Sequence, residues 1–194
     1  MSHRDELLVA ARRLLEQRGY AHITARDLVA ESGTNLASIG YHFGSKAALL
    51  NAAIEASFDD WTTQLADAVM ADPGLTPLER AGATWVASLA SLPERRAVLQ
   101  AYVESLAQAM RVPELRSQLA AQYTRARSVV AELVAVTLGE EMSAEDARCQ
   151  AVAALVIAAC DGLAMQWMLD PDGTPTPEDL AAGLMTVLAS ERRD

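Results

Sequence analysis

Three histidines and two cysteines are the side chains in this 194-residue sequence best suited to metal binding or nucleophilic chemistry. His3, His22 and His42 have no metal-ligand spacing and share no helical face with cysteines or paired carboxylates. Cys149 and Cys160 fall in one helical pattern about three turns apart, too far to bridge within that helix, so reduced thiols are expected. No phosphate-cradling glycine loop, nucleophile elbow or dinucleotide fingerprint occurs. The expectation is therefore a chain with no catalytic residues, no metal and no cofactor. The only lysine, Lys46, lies in the first turn of a helix that Ser45 is placed to cap.

The elements that position these residues read as helices throughout. Leu7, Leu8, Ala11, Leu14 and Leu15 recur at helical spacing and predict a helix over 4–18, stopped by Gly19. Thr24 with Asp27 opens a short second helix to about Glu31, ended by Ser32-Gly33. A third short helix runs from about Asn35 to His42, and the fourth from Lys46 to about Met70. Thr76-Pro77-Leu78-Glu79 places a cap, a first-position proline and a capping-box glutamate in order, and Ser91-Leu92-Pro93-Glu94 repeats the device. Further helices are predicted over about 77–91, 94–110, 113–138, 144–169 and 177–191. Glycine at position 33 supplies the positive φ of a tight turn between two short helices, the layout of a helix-turn-helix. Leu28, Ile39, Phe43 and Leu49 are expected in its core.

Charge is unevenly placed. The whole chain carries −10, yet the first 50 residues hold six cations against five anions, and all three histidines. A near-neutral end joined to an acidic body suits a partner of strong negative charge that only one end should meet.

The stretch Ile23 to Lys46, with the Ala-Leu-Leu after it, resembles the DNA-binding motif of the tetracycline-repressor (TetR) family. The Tyr41-His42-Phe43-Gly44-Ser45-Lys46 ending is its most specific part. Asp161-Gly162-Leu163-Ala164-Met165-Gln166-Trp167-Met168-Leu169-Asp170-Pro171 resembles a stretch common near the family's dimer helices. The resemblance implies DNA-binding roles for Thr24, Ala25, Arg26, Leu36, Ala37, Ser38, Gly40, Tyr41, His42 and Lys46. Lys46 and Thr24 stand at helix starts, where amides and dipole favour phosphate. Arg26 matches a DNA-reaching position, and Leu36, Ala37 and Ser38 match the groove-facing start of the reading helix. Gly40 departs from the tyrosine or asparagine usual there. With Leu36 and Ala37 also apolar, thymine methyls and DNA shape are expected to carry more of the specificity.

The fold class expected is all-α, about nine helices in total. Residues 1–46 would form the three-helix DNA-binding domain, and 47–194 a helical effector-binding and dimerisation domain. A strip of small residues, Ala147, Ala151, Ala154, Ala158 and Gly162, lets a second helix approach closely. Leu155 flanks it, and the last helix offers Leu180, Leu184, Val187 and Leu188. The resemblance implies that these pair with their copies in a homodimer; packing inside one chain is the alternative. It also implies a small-molecule pocket, for which Phe58, Trp61, Trp85, Leu89, Tyr102, Leu106, Met110 and Tyr123 are the candidates, although such residues also build plain core.

The function expected is a ligand-responsive regulator, a repressor by analogy, holding a palindromic double-stranded operator until a small apolar or amphipathic effector releases it. A helical protein-interaction module, or a regulator without an effector, are the rivals. An enzyme is a third class for which nothing in the sequence speaks. The start Met-Ser-His-Arg-Asp-Glu lacks an apolar signal region, and no stretch reads as a bilayer span because Ala151 to Cys160 runs into Asp161. A cytoplasmic protein without a membrane partner is expected.

Overall fold

Small polar residues open the helices, because the first amides of a helix need acceptors that its own carbonyls cannot supply. The computed structural model describes residues 2–70, 74–138, 142–176, 178–180, 182–183 and 186. The fold is all-α, with no strand among the described residues. The helices are α1 (His3–Arg18), α2 (Ala25–Ser32), α3 (Leu36–Phe43), α4 (Lys46–Met70), α5 (Pro77–Ala90), α6 (Leu92–Ala109), α7 (Pro113–Leu138) and α8 (Ala147–Leu169). A 3-10 turn at Tyr20–His22, absent from the sequence reading, links α1 to α2.

Capping boxes form at Ser2 with Asp5, Thr24 with Asp27, and Thr76 with Glu79. Asn35 caps α3, and Ser45 accepts the Ala48 amide at 3.0 Å to cap α4. Two details differ from expectation. Ser91 ends α5 instead of capping α6, because its hydroxyl donates back to the Ser88 carbonyl at 2.9 Å. Asp146, not Ser143, caps α8, so that helix starts at Ala147. The predicted helix over 177–191 falls largely outside the described residues; 178–180, 182–183 and 186 are helical.

Packing divides the chain into two units, Met1–Thr62 with Arg95–Thr124, and Thr63–Glu94 with Arg125–Asp194. In the first, Leu7, Leu14, Leu15, Ile23, Leu28, Ile39, Leu49, Leu50 and Ile54 close a core that also takes Val98 and Ala101 of α6. Each fully buried aliphatic side chain there contributes about 1.5–3 kcal/mol. Phe43 packs partly buried against the same cluster. In the second unit, Ala131 and Ala135 of α7 meet Cys149 and Ala153 of α8. Both cysteines are free thiols.

One expectation is corrected. By length and composition α8 is long and apolar enough to cross a membrane, with mean hydropathy 1.7 over 18 residues of which 11% are buried. Asp161 interrupts the apolar run without lowering the average below that level. Among the described residues, much of this helix therefore shows apolar surface that is exposed or only half-buried.

Candidate nucleic-acid interface

The helices α2 and α3 pack on each other and both pack on α1, with the bend between them turning on Gly33 in the left-handed region, φ 68° and ψ 16°. A side chain there would be strained, so glycine is what makes the tight turn possible. Ion pairs fix the brace: Arg18 reaches Asp27 at 2.8 Å at the start of α2, and Arg13 reaches Glu31 at 2.7 Å near its end. Arg12 pairs with Asp60 of α4 at 2.6 Å. The Asp27 carboxyl is held below the usual carboxylate range, first by the Thr24 hydroxyl, then by the Thr24 amide, with Arg18 adding to both.

Helical periodicity then sorts the residues of α3 into two faces. Ile39 is buried and Phe43 half-buried, whereas Leu36, Ala37, Gly40 and Tyr41 all point outward. Tyr41 is 86% exposed, with its ring set edge-on to that of His42 at 4.8 Å between centroids. An aromatic so far from the core contributes little to folding and is available to a partner. Next to this face, Arg26 is exposed at the start of α2 and Ala25 is half-buried.

One candidate is placed otherwise than expected, and two are engaged within the chain. Ser38 is buried; its amide donates to Asn35 Oδ1 at 3.1 Å, and its hydroxyl lies 3.4 Å from His3 Nδ1. One residue along a helix is a 100° turn, which carries Ser38 away from Ala37 and towards α1. The Thr24 hydroxyl spends its proton on Asp27 Oδ2 at 2.6 Å, so it serves the cap. The Lys46 ammonium donates to the Ile23 carbonyl at 2.7 Å, stapling the start of α4 to the residue before the Thr24 cap and keeping two further N–H donors.

Sequence reasoning passed over Arg4 and His3. The Arg4 guanidinium lies over the Phe43 ring, 5.4 Å from its centroid, so the first turn of α1 runs beside α3 from Ser38 to Phe43. A cation in a helix's first turn, where the dipole disfavours it, was the available signal.

The effector candidates divide between the units. Phe58 packs 5.9 Å from Trp61 and 5.5 Å from Tyr102, and the Tyr102 hydroxyl donates to that of Tyr123. Arg95 lies over Trp61 at 5.8 Å, and the buried Trp61 Nε1–H finds no acceptor among the described atoms. Leu106 packs with Tyr102 beside Ala109, Leu115 and Leu119. Met110 is 67% exposed just past the end of α6 and does not join this cluster. Trp85 and Leu89 belong to the second unit, where Leu89 lines a cavity of about 200 Å³ with Leu92, Leu163, Trp167 and Leu180.

On α8, Ala147, Ala151, Leu155 and Ala158 are exposed, while Ala154 and Gly162 are half-buried. Val152, Met165 and Leu169 extend the exposed apolar surface. Leu184, Val187 and Leu188 lie outside the described residues.

Residues 7–53 match the family model of bacterial regulatory proteins of the tetR family, and residues 77–193 match the C-terminal domain of BetI-type transcriptional repressors. Solved structures share the fold. One is a protein from Rhodococcus sp. described as a TetR-family transcriptional regulator: 22% identity, covering 95% of this chain and 97% of that chain, TM-score 0.73. Another is a TetR transcription regulator from Haloarcula marismortui: 22% identity, 97% and 95% covered, TM-score 0.64. A third is the multidrug binding protein EbrR, solved with proflavin: 24% identity, 95% and 99% covered, TM-score 0.63. Comparison with curated protein sequences gives no match.

Proposed function

The chain belongs to the TetR family of bacterial regulatory proteins, and on that premise we propose that it is a dimeric repressor, released from a palindromic operator by a small apolar or amphipathic effector. Regulation of transcription through DNA follows from the family; the sign of regulation, the dimer, the operator and the effector are the proposal. The observation that carries it is the outward face of α3, whose Leu36, Ala37, Gly40 and Tyr41 have no role in the core.

In a helix-turn-helix the second short helix enters the major groove and the first crosses the backbone. Leu36, Ala37 and Gly40 then meet base edges, where apolar side chains suit thymine methyls. Tyr41 and His42 reach backbone or bases from the end of α3. Arg26, with no ion pair among the described residues, is the guanidinium fit to read guanine. Lys46 orders the start of α4 through Ile23 and has donors left for a phosphate. The small-residue face of α8 is the proposed contact with a second copy, since small side chains let helices approach and Ala147, Ala151, Leu155 and Ala158 are exposed. A twofold dimer sets its reading helices one DNA turn, or a multiple of it, apart.

The effector reading rests on the aromatic cluster of Phe58, Trp61, Tyr102 and Tyr123. Rings with one unsatisfied buried N–H favour a ligand that is mostly apolar and carries an acceptor. Two helices tie this cluster to the reading head, the three-helix unit of α1, α2 and α3. Helix α4 puts Leu50 and Ile54 into the head's core and carries Phe58 and Trp61 further along. Helix α6 carries Tyr102, and two residues later Glu104 accepts the Ala21 amide at 2.9 Å. A ligand that moves Tyr102 can thus bias the head, with coupling of about 1–3 kcal/mol if it prefers one of two arrangements.

Selection of bound duplexes from a random pool, followed by titration of the winner in rising salt, tests this reading. A palindromic consensus with steeply salt-weakened affinity is expected. A protein indifferent to every duplex at low salt removes it.

A further inference from the structure

We infer that Arg4 is a further DNA contact, a phosphate clamp at the far end of the reading helix; the inference rests on the helix-turn-helix reading above. The arginines of the head fall into two groups. Arg12, Arg13 and Arg18 are engaged by Asp60, Glu31 and Asp27, and so hold helices together. Arg4 and Arg26 are exposed and have no ion pair among the described residues. Asp5, the carboxylate next to Arg4, is turned back on the helix start: its Oδ2 accepts the Ser2 amide at 3.1 Å and the Ser2 hydroxyl at 2.8 Å.

Position follows from the rings. Arg4 lies on Phe43, the last residue of α3, and the rings of Phe43, His42 and Tyr41 follow one another at 6.5 and 4.8 Å between centroids. His3 beside Ser38 anchors the same turn of α1 to the middle of α3. A flexible arginine is thereby seated on an aromatic platform, which lowers the freedom it must lose on meeting a partner. The base-reading end of such a helix is its N-terminal one. Arg4 stands at the other end, so its partner is the sugar–phosphate backbone. Its role is to fix docking, and it carries no base preference.

The experiment uses the full-length protein and its selected duplex, with fluorescence anisotropy read from 50 to 200 mM salt. Arg4→Gln is expected to bind about five- to tenfold more weakly per contact at 0.1 M salt, and to lower the log–log salt slope by about 0.9 per half-site occupied. The loss is uniform across duplexes with single base changes. Arg4→Lys keeps the parental slope while losing part of the affinity, because an ammonium keeps the charge but not the planar stacking. Arg13→Gln, which removes an equal charge already engaged by Glu31, leaves the slope unchanged. A parental slope in Arg4→Gln, or an equal fall in Arg13→Gln, overturns the assignment of Arg4. If the parent itself fails to bind duplex, the DNA reading falls instead. Urea melts confirm that each variant folds.

Discussion

Helix α3 and helix α8 both leave apolar side chains in water, but their surroundings differ. The exposed face of α3 is short, carries an aromatic ring at 86% exposure, and is edged by Arg4, Arg26 and His42. That of α8 is long and aliphatic: Val152 and Leu155 lead to Met165 and then to Leu169, itself 86% exposed, with alanines between. A cation-edged aromatic face suits a polyanion with flat bases, whereas a smooth aliphatic strip suits another helix. The difference teaches that exposure alone does not name a partner; the neighbouring charge and side-chain size do.

The comparison breaks most readily at Leu155, which is 70% exposed and so dispensable to the fold of its own chain. Leu155→Arg is expected to give a folded monomer in sedimentation and to weaken operator binding by about 10²–10⁴-fold, since two linked half-sites become independent. A dimer that persists would show that α8 does not face a second copy. Leu28→Ala is the counterpart inside the head. Leu28 is fully buried, so truncation should cost about 2–5 kcal/mol in urea unfolding while sedimentation stays parental. If the variant unfolds no more easily than the parent, the head's core is held elsewhere.

How legible these regions were in the sequence follows from where their order comes from. The short helices of the head could be read because their stops and starts are local: Thr24, Asp27, Gly33 and Ser45 act within three or four residues of themselves. Ile39 and Leu28 declared their burial through spacing. Ser38 did not, since the neighbour it meets is His3, thirty-five residues away, and short-range patterns do not carry that. Thr24 caps α2 as its pairing with Asp27 predicts, whereas Lys46 was chosen for chemistry that the structure shows partly committed elsewhere, to the Ile23 carbonyl. The length of the apolar run in α8 was underestimated because one charge, Asp161, was given the weight of a boundary. Its small-residue strip was legible, but a strip is visible in sequence whether its partner is the same chain or another.

The outward face of the head can be tested without touching its core. Arg26→Ala should leave urea unfolding unchanged, because Arg26 makes no ion pair among the described residues. Its cost is expected in DNA affinity, about 1–3 kcal/mol, with discrimination relaxed at one base position. Loss spread evenly over all base changes would reassign Arg26 to phosphate and leave α3 as the only reader of bases.

The smallest effect expected separates the two faces of α3 most cleanly. Gly40 is helical, and a Cβ built there meets no atom within 4 Å, so neither backbone nor packing requires a glycine. Gly40→Ala should therefore stabilise the protein, by up to about 1 kcal/mol, as alanine restricts the unfolded chain and favours helix. Any penalty from the added methyl must then come from outside the chain. Because Gly40 lies between Ala37 and Tyr41 on the exposed face, that penalty is expected in DNA binding, as a fall in operator affinity despite a higher melting temperature. The two readouts moving in opposite directions mark a surface approached closely by a groove. Both rising together would mean that DNA keeps its distance from Gly40 and is read from Leu36 and Ala37 alone.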